Sequence, residues 1–393
     1  MPSEAVQTID PSTPPWLAKT RDVLLGPVPI SIVLALIVGA VVIVTSGGNP
    51  FVAYRVMVEG SLTGTGLVNT FERAVPLVGM ALAVAVAFRA GVFNLGGEGQ
   101  MILGALAGTL VTLFVPGPGL LVMLLAFAAA IVAGGLWGAL SAWLENWLAL
   151  PILITSLLLA YPARFFASYL VRFPLKEEGS SLVATDTVPD GTRLSKIIPT
   201  DSGLGQVLLD SLGKASTFVK ITSKLDWSAV IIILLVVAIW FFNRHTTRGY
   251  ESGMTGINPL FASYGGISTH RIKVEAMFTS GAIAGAVGLM IVLGNQGRLV
   301  DGALVATNYA WTGLLVALLA ASQPIGVAFA GFFFAAIIVG GEAMARGAGV
   351  SAQISQVIQA VVIVFIAMRI TLRWRKRKEA GIRPDGDGEG GRL

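Results

Sequence analysis

Ten apolar runs partition this chain, at residues 29–45, 74–90, 101–115, 120–144, 151–171, 228–242, 274–293, 309–321, 325–341 and 354–370. Lipid offers exposed backbone no hydrogen-bond partner, so an apolar run near 20 residues crosses a bilayer as a helix that satisfies its own amides. The expected fold is therefore an all-α polytopic membrane protein of about ten transmembrane helices. Several runs, above all 309–321, are short for the hydrocarbon core, which points to broken or re-entrant segments. Charge agrees: 12% of the residues are Asp, Glu, Lys or Arg, where soluble domains carry roughly 25%.

Lysine and arginine set the orientation, because they concentrate on the cytoplasmic side. Lys19 and Arg21 precede the first run, the 243–273 loop is basic, and a cluster of Arg and Lys spans 373–378. Placing all three inside makes ten spans alternate consistently, with both termini in the cytoplasm. The domain plan is then an N-terminal cytoplasmic tail at 1–28, a membrane domain at 29–372, and a basic, disordered cytoplasmic tail at 373–393. Residues 172–227, of mixed charge, fall in an extracytoplasmic segment, as do 52–70 and 342–353. The net charge of +5 belongs to this topology and to contact with membrane lipid, not to nucleic acid.

Chemistry is scarce. No cysteine and only two histidines, His245 and His270, are present, so neither disulfides nor a metal site are expected, and no catalytic constellation stands out. Gly213-Lys214-Ala215 lacks the leading glycine and the trailing hydroxyl of a phosphate-binding loop. If transport here is driven by nucleotide, the nucleotide sits on another protein.

Three stretches break the apolar rule. The first is 91–100, with four glycines, Asn94, Glu98 and Gln100. Polar, irregular backbone at membrane depth survives where protein or water surrounds it, and such breaks form solute sites in transporters. A plain turn between two spans is the other reading. If the stretch is helical, Asn94 and Glu98 share a face. The second is 294–302, where Arg298 and Asp301 form a pair with each other or sit in an external loop; Asn308 and Trp311 follow it. The third is the 243–273 loop. Asn258 as N-cap, Pro259 at the first position and Gly265 or Gly266 at the end predict a short helix holding Leu260, Phe261 and Tyr264. A helix of two turns needs a surface to pack on, and on a cytoplasmic loop that surface belongs to another protein. Small-residue pairs Gly104/Gly108, Gly134/Gly138 and Gly281/Gly285 fit close helix packing.

Gly91-Val-Phe-Asn-Leu-Gly-Gly-Glu-Gly-Gln-Met-Ile-Leu-Gly-Ala105 resembles the signature of bacterial nucleoside permeases of ATP-binding-cassette importers, within the ribose and branched-chain amino-acid permease family. Gly256 to Ile267, Arg271 to Gly285, Val339 to Met344, Gly349-Val350 and Val357 to Ala360 resemble that family in the same order. The resemblance implies a pore subunit, not an enzyme, in the inner membrane of a bacterial cell. It implies a cytoplasmic ATPase with two nucleotide-binding domains that holds the ATP and Mg, a second related permease, and a substrate-binding lipoprotein outside, docked partly on 172–227. It makes Gly256, Asn258, Pro259, Leu260, Phe261, Tyr264 and Gly265 the coupling element for the ATPase. With a nucleoside as solute, Phe93, Asn94, Glu98, Gln100, Asn308 and Trp311 are the residues expected to meet it, Trp311 being placed equally well as an interfacial anchor. An ion-coupled secondary transporter and a non-transporting scaffold are the competing classes; no central chain of Asp, Glu and His suited to a proton relay supports the former.

Overall fold

The computed structural model describes residues 27–361 apart from 149, 214, 215, 350, 352, 355, 358 and 359. The tail expected at 373–393, nearly all of that at 1–28 and most of the run at 354–370 lie outside these. Among the described residues regular structure is helical, beside two isolated bridges, Ala184 with Val300 and Lys196 with Asp226. The helices are α1 (Pro27–Thr45), α2 (Pro50–Leu62), α3 (Gly64–Arg89), α4 (Gly97–Phe114), α5 (Gly119–Leu148), α6 (Ile152–Arg172), α7 (Gly203–Leu212), α8 (Thr217–Lys224), α9 (Ser228–His245), α10 (Thr247–Ile257), α11 (Pro259–Tyr264), α12 (Thr269–Ile291), α13 (Ala303–Ala306), α14 (Tyr309–Leu319) and α15 (Pro324–Gly347). Seven of them, α3, α4, α5, α6, α9, α12 and α15, are long and apolar enough to cross a membrane, and the bent pair α1–α2 could supply one further span. The protein is a multi-pass membrane protein.

It divides into two compact units, Met57–Gly340 and Met1–Val56 with Gly341–Leu393. In the second, the chain turns by 120° between α1 and α2. Asn49 Oδ1 accepts from the Phe51 N–H at 3.0 Å to start α2, and the Tyr54 hydroxyl donates to the Leu36 carbonyl.

In the larger unit α12 is the hub. Of its most apolar stretch 78% is buried, against 28% for α5 and 22% for α9, so α5 and α9 turn most of their surface outward. Lipid gives apolar helices no hydrophobic reason to associate, and close contact of small residues takes its place. A β-carbon at Gly104 would stand 2.2 Å from Gly285 Cα, one at Gly134 2.3 Å from the Gly281 carbonyl oxygen, and one at Gly138 2.3 Å from that of Met277. The three small-residue pairs thus bring α4, α5 and α12 together backbone to backbone.

Two apolar runs have different extents from those their hydropathy suggests. The run at 74–90 is the far part of α3, which starts at Gly64. Glu72, Arg73 and Pro76 lower the hydropathy of its first half, while the fully buried Thr70 donates its hydroxyl to the Ser61 carbonyl at 2.8 Å. The run at 309–321 becomes α14, 11 residues long and so about 16 Å, near half of the ~30 Å hydrocarbon thickness. It stops where Ala321 and Ser322 take left-handed backbone, φ 47° and 57°.

Residues 172–227 fold into α7, α8 and a 3-10 turn at Asp190–Thr192, and they grip 297–301. The Thr185 N–H donates to the Leu299 carbonyl at 3.0 Å, Val188 to Gly297 at 2.9 Å and Asp301 to Val183 at 2.9 Å. Arg298 and Asp301 do not pair with each other. Arg298 meets Glu177 and Asp301 meets Arg172, both at 2.6 Å, because the segment laid over them supplies nearer counter-charges than their own turn.

Gly285→Val should cost about 3 kcal/mol, the upper end for overpacking, since its side chain would meet the Ala130 carbonyl oxygen, 2.3 Å from the β-carbon position. Size-exclusion profiles in detergent should lose the monodisperse peak, while Gly203→Val, in open space, should retain it.

Candidate functional site

α3 ends at Arg89, and Gly91, at φ 75°, turns the chain away. Residues 92–96 run without regular structure to the start of α4 at Gly97. Val92, Asn94 and Gly96 of this break are buried by protein, while Phe93 is exposed. Asn94, 2% exposed, donates from Nδ2 to Gln100 Oε1 at 2.7 Å and to Ser280 Oγ at 2.8 Å. Its Oδ1 accepts from the Gly96 N–H at 3.0 Å and from Gln100 Nε2 at 3.1 Å. Ser280 in turn donates to the Ala83 carbonyl at 2.6 Å. All four hydrogen-bonding positions of the Asn94 amide are taken, so one side chain fastens the break to α4 and α12, and Ser280 passes the connection on to α3.

This geometry sorts the residues expected to meet a solute. Asn94 precedes α4, so it does not share a helical face with Glu98. Asn94 and Gln100 turn their amides to each other inside the protein. Glu98 sits half-buried in the first turn of α4, beside α6. A β-carbon at Gly99 would lie 2.8 Å from Ala160 Cα, and one at Gly96 2.6 Å from the Ser156 carbonyl oxygen. The Leu95 N–H donates to Ser156 Oγ at 3.2 Å. One turn beyond Ala160, the exposed Arg164 comes within Coulomb range of Glu98. A charge midway along an apolar span faces a pathway or a partner rather than lipid. Sequence reasoning passed over Arg164, although its place inside the run at 151–171 was the signal.

The first turn of α14 joins the first turn of α4: a β-carbon at Gly97 would be 3.9 Å from Ala310 Cβ. Asn308, exposed and left-handed at φ 55°, starts α14, and Trp311 is exposed beside it. Phe93, also exposed, rests its ring on Phe88 with centroids 4.8 Å apart.

The other end of the break meets the 243–273 loop. A β-carbon at Gly256 would stand 2.1 Å from the Arg89 carbonyl oxygen, and one at Gly91 3.0 Å from Gly256 Cα. Arg89 Nη2 donates to the Asn243 carbonyl at 3.1 Å and to that of Gly249 at 3.3 Å. Two helices occupy this loop, not one. α10 carries Gly249, Gly253 and Gly256, poor helix formers that hide it in the sequence, while the Thr246 hydroxyl caps it by accepting from the Gly249 N–H at 3.0 Å. Gly256 therefore belongs to α10.

α11 has the caps its sequence implies. Asn258 Oδ1 accepts from the Phe261 N–H at 3.0 Å, Pro259 takes the first turn and Gly265 ends it. Ala262 is buried, yet Ile257, Leu260, Phe261 and Tyr264 are 61 to 82% exposed. Beneath them Arg248 pairs with Glu251 at 3.1 Å and with Glu275 at 3.6 Å, and Lys273 with Glu145 at 3.3 Å. The helix is anchored on one side and bare and apolar on the other. Among the described residues no three His, Asp or Glu side chains converge as metal ligands would.

The family model for the permease component of branched-chain amino acid transport systems matches residues 66–367. A glucose ABC transporter permease, TsgB13 of Haloferax volcanii, is 34% identical over 95% of this chain and 93% of its own length. A guanosine ABC transporter permease, NupP of Bacillus subtilis, is 28% identical over 91% of this chain and 97% of its own. A nucleoside ABC transporter permease, NupB of Lactococcus lactis, is 29% identical over 90% and 93%. No solved structure matches.

Asn94→Ala should strand the Gln100 amide and the Gly96 N–H in the interior at about 1–3 kcal/mol per unsatisfied group. The thermal midpoint of the detergent-purified protein should fall by several degrees, and Glu98→Gln should leave it within a degree or so. Equal midpoints in both variants would contradict the lock.

Proposed function

The chain belongs to the branched-chain amino acid transport system permease family, and from that premise we propose that it is the membrane subunit of an ATP-binding-cassette importer for nucleosides. In this reading a cytoplasmic ATPase with two nucleotide-binding domains holds the ATP and Mg, and this chain binds neither. A second related permease completes the pore, and an extracytoplasmic lipoprotein delivers the solute, with residues 172–227 as part of its landing surface.

The observation that carries the reading is α11, a helix with both ends capped, fixed at its base, and presenting Leu260, Phe261 and Tyr264 to the surroundings. It docks in the ATPase. Its motion passes through α10 to the Gly256–Gly91 contact and the Arg89 clamp, and so to the break at 90–96 and the first turn of α4. The Gly256–Gly91 joint is backbone against backbone and Arg89 bridges the carbonyls of Asn243 and Gly249 beside it, so displacement is transmitted instead of absorbed. Glu98, Asn308, Trp311 and Phe93 keep polar or aromatic surface free for a solute, with Phe93 suited to a base face. Asn94 and Gln100 act by holding the break in shape.

A monosaccharide is the second reading for the solute, favoured by the 34% identity to a glucose permease. The two readings share a hydroxyl-rich sugar ring and differ in the base.

Leu260→Asp with Phe261→Asp should remove two apolar anchors worth about 2 kcal/mol each. Co-purification of the ATPase should be lost and uptake of labelled adenosine and glucose by cells should fall at least tenfold, with membrane insertion unchanged. Normal uptake in that variant, or uptake that follows the ion gradient while ATP persists, would defeat the reading. Whichever labelled solute the unaltered transporter accumulates decides between nucleoside and monosaccharide.

A further inference from the structure

A cavity of about 660 Å³ opens between α9 and α12 where both meet the 243–273 loop, with α3 and α5 behind it. Its deep part is apolar. Ala238 and Ile239 of α9 face Phe278 of α12 across it, over Val86 and Ala139. Thr279 lines it too, but its hydroxyl turns back to the Glu275 carbonyl of its own helix at 2.8 Å. Outward the cavity is bounded by α9, which is the least buried of the seven apolar spans.

The loop end is polar and basic. Asn243, Arg248, Ser252 and Glu275 stand there. Arg244 follows Asn243 in the last turn of α9 and lies over the Trp240 ring, 6.0 Å from its centroid, an aromatic and a basic side chain together, as at the headgroup level of a membrane. Arg271 pairs with Glu275 at 2.8 Å. With Arg89, four arginines thus face two carboxylates, Glu251 and Glu275. Arg248 meets both carboxylates through Nη1, which leaves Nη2 directed to another acceptor.

A slot without hydrogen-bonding groups, open beside an outward-facing span and basic at one end, matches an amphiphile with a long apolar chain and an anionic head. A hydroxyl-rich solute does not match, since its buried hydroxyls would go unpaired. We propose that this cavity binds one anionic phospholipid from the leaflet on the side of the 243–273 loop, an acyl chain between α9 and α12 and the phosphate against Arg248 and Ser252. Basic pockets between membrane helices hold such headgroups elsewhere. The lipid braces the α9–α10 corner, because Asn243 and Ser252 line the cavity from either side of it. The site goes beyond the importer reading and stands without it.

Native mass spectrometry of the full chain, alone and in the complete transporter, tests the site by titration with dioleoylphosphatidylglycerol or dioleoylphosphatidylcholine. The first lipid bound should be phosphatidylglycerol in preference to phosphatidylcholine. Ala238→Trp and Thr279→Trp, which fill the slot from opposite walls, should each weaken binding of both lipids about tenfold, while Leu124→Trp, at an exposed position elsewhere on α5, should not. Arg248→Gln should cut the preference for the anionic lipid about fivefold, the effect of one basic residue beside an anionic headgroup. Equal affinity for the two lipids in the unaltered protein, a preference that Arg248→Gln leaves intact, or unchanged binding in the two slot-filling variants would overturn the proposal. A lipid that the chain binds alone but the complete transporter excludes would give this face to the second permease, and would overturn it as well.

Discussion

The whole arrangement depends on one requirement, that irregular backbone inside a membrane must find its hydrogen bonds within the protein. Residues 90–96 interrupt what would otherwise be a continuous pair of helices. The Val92 N–H finds the Ala87 carbonyl, the Leu95 N–H finds Ser156 Oγ and the Gly96 N–H finds Asn94 Oδ1, while the rest of the Asn94 amide ties the break to Gln100 and Ser280. Glycine does the rest: Gly96 and Gly99 let α4 begin directly against α6, and the Gly104–Gly285 contact lets it continue against α12. The break is therefore a rigid corner with a fixed shape. It sets the first turn of α4, and with it Glu98, beside α6 and α14.

A rigid corner can carry motion, and the same segment that starts α4 also touches α10. Arg89 holds two carbonyls at the α9–α10 corner, and Gly256 lies against the Arg89 carbonyl. The ion pairs of Arg248 and Lys273 tie the loop to α12 and α5. Few of these contacts are individually strong, since partly exposed ion pairs contribute only about 1 kcal/mol or less. Their effect comes from geometry, because the Gly256–Gly91 contact sets backbone against backbone and the Arg89 side chain beside it is held by two carbonyls.

Local chemistry was legible in the sequence and long-range partnership was not. Asn258 and Pro259 placed the start of α11, and of Gly265 and Gly266, the two glycines offered for its end, Gly265 closes it, because capping depends on neighbours along the chain. The glycine pairs on α4, α5 and α12 foretold close packing, and the interruption at 91–100 foretold the break between α3 and α4. α10 escaped notice because its glycines weaken helix propensity, and only the fold shows the neighbours they admit. The first half of α3 was hidden by Glu72, Arg73 and Pro76. Arg298 and Asp301 stand three apart and suggest a mutual pair, yet their counter-charges, Glu177 and Arg172, come from more than 100 residues away. The amides of Asn94 and Gln100 read as ligands for a solute because a polar side chain at membrane depth looks the same whether it serves the protein or its cargo.

The central claim is that α11 and the break move as one body. Spin labels at Phe93→Cys and Tyr264→Cys, with pulsed dipolar spectroscopy on the complete transporter, measure it directly, and the line shape of the Tyr264→Cys label alone reports whether ATP acts on α11. With and without ATP, the account predicts a changed line shape and an unchanged distance. A distance that shifts by several ångströms would mean that α11 moves independently of the break, and would contradict the account.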